Sequence, residues 1–214
     1  MLLNITNGDY LNAKLSKENN GEFFPFREAI IQGEVTSTIL NSEFIKIRAK
    51  SLGVSQEFYK EQAKEIFAFA SCHEKYSKIK LWFGKDTFCQ LNLLTLLTYL
   101  EQINYIGKIE LVLIDDETGN IIKDGIEVLL GQYSKIYKTL LIDRLMPINF
   151  GVIQSRAIEL YFDFLSPNGE LAKLIRQNQN LNEEELLVLL LENSKEYGLS
   201  DLNVKDLISR VKIW

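Results

Sequence analysis

Residues 78–100, KIKLWFGKDTFCQLNLLTLLTYL, constrain the fold more than any other stretch. An apolar run of strand length passes through one polar turn, GKD, directly into a longer apolar run of helix length. A second apolar segment, IELVLI within 108–114, follows after Gly107. Strand, helix and strand in that order call for right-handed crossovers and a mainly parallel sheet, so the fold class is α/β and Rossmann-like. The polar seam at Lys85, Asp86 and Gln90 lies where a strand's carboxyl end meets a helix N-terminus, the position at which open α/β sheets bind ligands.

The other segments fit the same scheme. Residues 2–6 read as a strand closed by Asn7, Gly8 and Asp9, and residues 10–17 as a short helix stopped by Asn19, Asn20 and Gly21. Residues 22–26 carry three Phe around Pro25, which suits a strand confined to a sheet edge. A 3.6-residue apolar period runs from 36 to 76 and predicts two helices broken near Gly53, the second capped by Ser55. After Asp115, residues 116–120 read as a turn, with a hairpin into Ile121 and Ile122, and everything beyond looks helical: 133–145, 151–165, 168–179, 182–197 and 204–211. The expected organisation is an α/β domain over 1–123 and a helical C-terminal region over 124–214 packed on it.

Composition narrows the function classes. The net charge of −5, with seven Lys and Arg against ten Asp and Glu in residues 151–214, argues against a nucleic-acid footprint. The two cysteines, Cys72 and Cys89, have no CxxC spacing and read as free, partly buried thiols. No apolar run approaches the ~20 residues that span a bilayer, and the start MLLNITNGDY lacks the pattern of a secretory leader. The expected location is the cytoplasm, with no membrane partner.

Four strings in order carry a family likeness: ITNGD at 5–9, PFREAIIQGEV at 25–35, LWFGKDTFCQLNLL at 81–94 and LVLID at 111–115. Together they resemble the bacterial domain-of-unknown-function family 1835. Its members typically show a TNGD strand end, a WRD segment leading into EGPV, and an LWF strand followed by a D-x-(F/Y)-x-QL helix start. Here Phe26 replaces the family's Trp, Glu28 its Asp, and Gln32, Gly33 and Glu34 stand where EGP is common. An aromatic, an arginine and a carboxylate are kept. The likeness is strong to about Asp115 and faint beyond, with YFDFLSPNGELAKLI at 161–175 matching more loosely. Family members often end in a longer helix-turn-helix-like segment, which the resemblance implies is cut short at Trp214. The family has no assigned activity, so the resemblance implies a fold and a set of positions but no reaction.

If the strands at 2–6, 78–83 and 108–114 are parallel neighbours, Asn7, Gly8, Asp9, Lys85, Asp86, Asp115 and Asp116 meet at one sheet edge. Asp86 and Asp9 are the candidate catalytic acid/base groups, with a plain helix cap the alternative for Asp86. Arg27, next to Glu28, is either a forked clamp for a phosphate or carboxylate or an ion-pair partner of Asp9 or Asp86 that fastens its segment to the sheet. Arg48 would add a second positive charge. Gln90, one turn from Asp86, would face the same crevice, whereas Asn92 would lie on another face and touch a loop. Trp82 would stack on a planar ligand or pack under a helix. His73, the single histidine, reads as a solvated helix end rather than a base.

No phosphate loop, GxGxxG or triad pattern is present, and no cofactor follows from the residues. The acidic set Asp9, Asp86, Asp115 and Asp116 could hold magnesium beside a phosphorylated substrate, though residues 116–120 are equally a hairpin turn. Two functions remain open. One is a small anionic or nucleotide-like ligand bound at the carboxyl edge, with or without phosphate chemistry. The other is a regulatory or protein-interaction module that uses the helical half.

Overall fold

A computed structural model describes residues 1–115 and 118–213. Among them five strands form one sheet in the order β2-β1-β3-β4-β5: β1 Leu2–Asn7, β2 Glu22–Phe26, β3 Lys78–Gly84, β4 Lys108–Ile114 and β5 Ile121–Glu127. The first four are mutually parallel and β5 is antiparallel to β4. The fold is thus α/β, with a mostly parallel sheet flanked by helices and further helices toward the C-terminus. Pro25 sits on β2, an edge strand, as its missing N–H requires.

The strand order dictates where the helices lie. From β1 the chain moves outward through α1 (Asp9–Leu15) to β2, then reverses past β1 to β3 through α2 (Ser42–Ser51), α3 (Gln56–Gln62) and α4 (Lys64–Ala70). Right-handed crossovers in opposite directions put α1 on one face and α2 to α4 on the other. Leu11 and Leu15 of α1 accordingly cluster with Trp82, Val112 and Ile114. The alternate positions Leu3, Ile5, Ile79, Leu81, Phe83 and Leu111 form the opposite face and are almost wholly buried. Helix α5 (Thr87–Gln102) joins β3 to β4, and its Leu91, Leu94 and Leu97 are fully buried. Thr95 and Thr98 turn their hydroxyls onto the carbonyls four residues back, so polar side chains fit an all-round buried helix.

Three sequence expectations need correction. Residues 36–41 are not helical; α2 starts at Ser42, where the Asn41 side chain accepts the Phe44 N–H. The chain after the hairpin is not all helix, because β5 runs on to Glu127, so a boundary at 123 would cut a strand. Gly125 takes a φ of 67° inside this strand, which is paired irregularly to β4, and Lys80 reaches Asp124 at 3.1 Å. The helix expected at 133–145 is a short α6 (Tyr133–Tyr137) continued by a π turn, Lys138–Ile142. The start of α6 is held by the Glu101 carboxylate, which accepts the N–H groups of Gly131, Gln132, Tyr133 and Ser134 and the Ser134 hydroxyl at 2.6–2.8 Å.

The chain divides into two compact units, Met1–Lys85 with Cys89–Ile153, and Asp86–Phe88 with Gln154–Trp214. The second contains α7 (Ser155–Leu165), α8 (Glu170–Gln177), α9 (Glu183–Asn193) and α10 (Asp201–Ile213). Asn182 and Glu185 cap α9 reciprocally, and the Tyr197 hydroxyl donates to Asp163 at 2.7 Å. Among the described residues no helix is long and apolar enough to cross a membrane.

Leu94→Ala should lower unfolding free energy by about 2–5 kcal/mol. Ile106→Ala, at a side chain 97% exposed, should change it by no more than about 0.5 kcal/mol. Urea unfolding followed by circular dichroism separates the two. Glu101 supplies a pH test. Burial raises its pKa, but the hydrogen bonds from Ser134 and the backbone of the 131–134 turn outweigh that and leave it below the ordinary 4.5. Its stabilisation is present above the unfolded-state value and lost as pH falls through the lower folded value. The stability gap between the wild type and Glu101→Gln should therefore be constant above pH 4.5 and close below it.

Candidate functional site

The carboxyl edge assembles at the strand reversal. β1 and β3 run in register with Thr6 opposite Trp82, so the chain leaves both strands side by side: Asn7, Gly8 and Asp9 from one, Lys85 from the other. β2 flanks β1 on its far side and delivers Arg27 and Glu28 one and two residues past its end. This is the topological switch point of a doubly wound sheet.

Gly8 makes the turn from β1 into α1 with φ 84°, and a Cβ there would meet nothing within 4 Å. The glycine answers a backbone requirement rather than a shortage of space. Its N–H donates to the Phe26 carbonyl at 3.1 Å, so this donor secures the turn to β2 and is not free for a ligand.

Arg27 is engaged on both edges of its guanidinium. The outer edge holds Asp9, with Nε at 2.9 Å from each carboxylate oxygen and Nη2 at 2.8 Å from Oδ1. On the inner edge, Nη1 lies 2.6 Å from Glu65 Oε2 and 2.8 Å from the Gln62 carbonyl. Hydrogen bonds donated to Asp9 and then to Glu65 raise the pKa of the guanidinium further. Burial pushes the Glu65 carboxyl up, but its hydrogen bond from Arg27 prevails and holds it below the usual range. Of the two sequence readings, the ion pair with Asp9 is the one observed. Lys85 is exposed and makes no polar contact among the described residues.

Arg48 does not face the crevice. It is fully buried: Nε lies 3.1 Å from Glu28 Oε2, and the remaining nitrogens donate to the carbonyls of Ala29 (2.9 Å), Gln32 (2.6 Å) and Glu34 (3.2 Å). Glu28 also accepts the Tyr59 hydroxyl, whose pKa burial and the adjacent carboxylate raise. Arg48 and Glu28, expected to bind ligand, instead shape the loop that follows β2. Four carbonyl or carboxylate acceptors converge on a guanidinium that sequence periodicity placed merely on a helix.

That loop is joined to the end of β1 by Asn92, a residue the sequence places on another face of the helix. Asn92 Nδ2 donates to the Glu28 carbonyl (2.6 Å) and to Asn7 Oδ1 (2.9 Å), and Asn92 Oδ1 accepts the Ile30 N–H (3.2 Å). Asn7 Nδ2 in turn points at Cys89 Sγ, 2.8 Å away. Asn92 touches a loop as expected, but it is also a centre of the site's scaffold. The signal was its spacing of three from Cys89, one turn along the same helix face. Gln90 is fully buried and donates to the Gly84 carbonyl at 2.5 Å, closing the strand end rather than facing outward.

The remaining candidates separate. Asp86 belongs to the helical unit, where its carboxylate lies against Gly198: a Cβ on that glycine would be 2.1 Å from Oδ1. Thr87 beside it donates toward the carbonyls of Ala157 and Glu196 at 3.2 and 3.4 Å. Asp115 accepts the N–H and hydroxyl of Thr118 at 2.8 and 2.7 Å in the hairpin turn; Asp116 lies outside the described residues. Among the described residues no group of three His, Cys, Asp or Glu is assembled for a metal, and Asp116 of the expected magnesium-binding set is not one of those residues. Trp82 packs under α1 and donates to Asn4 Oδ1 at 3.0 Å. His73 is half-buried, tilted against Phe69, with Nδ1 3.1 Å from the Ala70 carbonyl. Both cysteines are free thiols.

Arg48→Met should cost about 3–5 kcal/mol, because it strips Glu28 of its buried countercharge; Arg48→Met with Glu28→Gln should recover part of that loss. Chemical denaturation of the single and double variants reads the difference, and a single variant as stable as the wild type would contradict the assignment. No family model, curated protein or solved structure matches the chain.

Proposed function

We propose that the α/β unit binds a small anionic ligand, a phosphate-bearing or nucleotide-like molecule, at the carboxyl edge between β1 and β3. One observation carries this reading. Two cationic side chains, Arg27 and Lys85, leave the sheet on either side of the Gly8–Asp9 turn, at the strand reversal where doubly wound sheets open a crevice. The backbone behind this edge is preorganised, since Asn7, Asn92 and the Glu28 carbonyl are tied together. Binding rather than catalysis is the role these groups support best. Asp9 is paired with Arg27, and Asp86 packs against Gly198 within the helical unit, which favours binding over acid/base catalysis.

Thermal-shift titration of the full chain with AMP, ADP and sugar phosphates, with and without magnesium, tests the reading. A ligand at a hundred times its Kd should add about 2.7 kcal/mol of stability. Lys85→Ala should weaken that gain while leaving the unliganded Tm within about 1 °C of the wild type, since the side chain is exposed. No stabilisation by any of these compounds would count against the proposal.

A second reading, a protein-interaction role for the helical unit, has one observation in its favour. A groove of about 460 Å³ between α8, α9 and α10 is floored by Ile175, Leu186, Ile208 and Val211 and edged by Arg176 and Lys212. Leu181→Arg at its half-buried lip should abolish capture of a partner in pull-downs with the full chain. Undiminished capture would exclude the groove.

A further inference from the structure

We infer that Asp9 is an internal occupant of the anion site: its carboxylate sits on the outer edge of Arg27 in the empty protein and is displaced there by the ligand's own oxyanion. The inference rests on the anion-binding reading of the carboxyl edge and assigns Asp9 a competing role instead of a catalytic one.

The two edges of Arg27 are held unequally. The inner edge is fixed by Glu65, whose side chain is 24% exposed, together with the Gln62 carbonyl where α3 gives way to α4. The outer edge is met by Asp9, 67% exposed, through a forked contact of 2.8–2.9 Å. Arg27 is only 22% exposed and the forked geometry is favourable, but the Asp9 carboxylate remains in contact with water, which lowers the cost of its leaving. The Asp9 carboxylate therefore leaves at small cost, while Glu65 keeps the guanidinium in place and in plane.

The vacated edge presents Nε–H and Nη2–H side by side, the pattern that two oxygens of a phosphate or a carboxylate accept. A phosphate-bearing ligand fits better than a simple carboxylate, because Lys85, exposed at the end of β3 on the other side of β1 from Arg27, adds a second positive charge to the same sheet edge. Asp9 itself is the first residue of α1, so it can swing toward solvent without unwinding the helix, and Gly8 before it is free of steric neighbours. The net effect is a site that rejects weak anions, because they must outcompete a tethered carboxylate, and accepts a ligand with two-point contact to Arg27 and Lys85.

Calorimetric titration of inorganic phosphate, AMP and acetate into the full-length wild type, Asp9→Asn, Arg27→Gln and the Asp9→Asn/Arg27→Gln double variant tests this. Asp9→Asn should bind AMP about fivefold more tightly than the wild type, equivalent to about 1 kcal/mol, and the gain should vanish in the Arg27→Gln background. Inorganic phosphate should follow AMP if the phosphate group alone is recognised, and acetate should bind more weakly than either. Equal or weaker AMP binding by Asp9→Asn would overturn the inference while leaving the anion site standing. A gain that persists without Arg27 would also overturn it, by tracing the effect to long-range charge. Absence of binding in wild type and Asp9→Asn alike would overturn the anion site together with the inference. Circular dichroism of each variant establishes that it is folded, and Asp9→Ser provides a second variant that lacks the carboxylate.

Discussion

Parallel strands cannot be joined by a tight turn, and everything about this molecule's candidate site follows from how its chain meets that restriction. β1 must reach β2 on one side and the chain must return past β1 to reach β3, so helices cover both faces and the connections diverge above β1. Where they diverge, the carboxyl ends of β1, β2 and β3 bring Asn7, Gly8, Asp9, Arg27 and Lys85 to one edge of the sheet. That edge is a consequence of topology; the side chains decide what it can hold.

Those side chains fall into two sets that do different work. Arg48, Glu28, Tyr59, Asn92 and Asn7 form a buried hydrogen-bonded chain that ties the loop after β2 to α2, α3, α5 and the end of β1. A buried charge pair is costly unless its remaining donors are satisfied, and here three backbone carbonyls satisfy Arg48. Arg27, Asp9 and Lys85 form the outer set, where water screens every interaction and rearrangement is cheap. A rigid back and an adjustable front are what a ligand site requires.

The sheet itself was legible from local chemistry. Alternation and apolar runs marked β1, β3 and β4 to within a residue, and Pro25 put β2 on an edge because a proline in the middle of a sheet would lose a ladder hydrogen bond. β5 was only half legible, since a strand exposed along most of its length carries no burial pattern, and Asp124-Gly125 imitates a turn. Asn7, Gly8, Asp9, Arg27 and Lys85 are legible as neighbours at one sheet edge because they lie at or just after strand ends. Arg48 was misassigned because three of its four partners are backbone carbonyls of a loop, and nothing in side-chain spacing announces where carbonyls will converge. Asp86 was misassigned because helix-start residues look alike in sequence whether they turn toward the sheet edge or, as here, toward Gly198.

If the protein takes an anionic ligand at the β1–β3 reversal, backbone amide shift mapping of the full chain on addition of AMP locates it, because each residue reports separately. Perturbations should concentrate at residues 7–9, 27 and 84–85. Perturbations confined to the opposite end of the sheet, around His73 and Ser77 and around Tyr105 and Lys108, where a cleft of about 520 Å³ also opens, would contradict that placement.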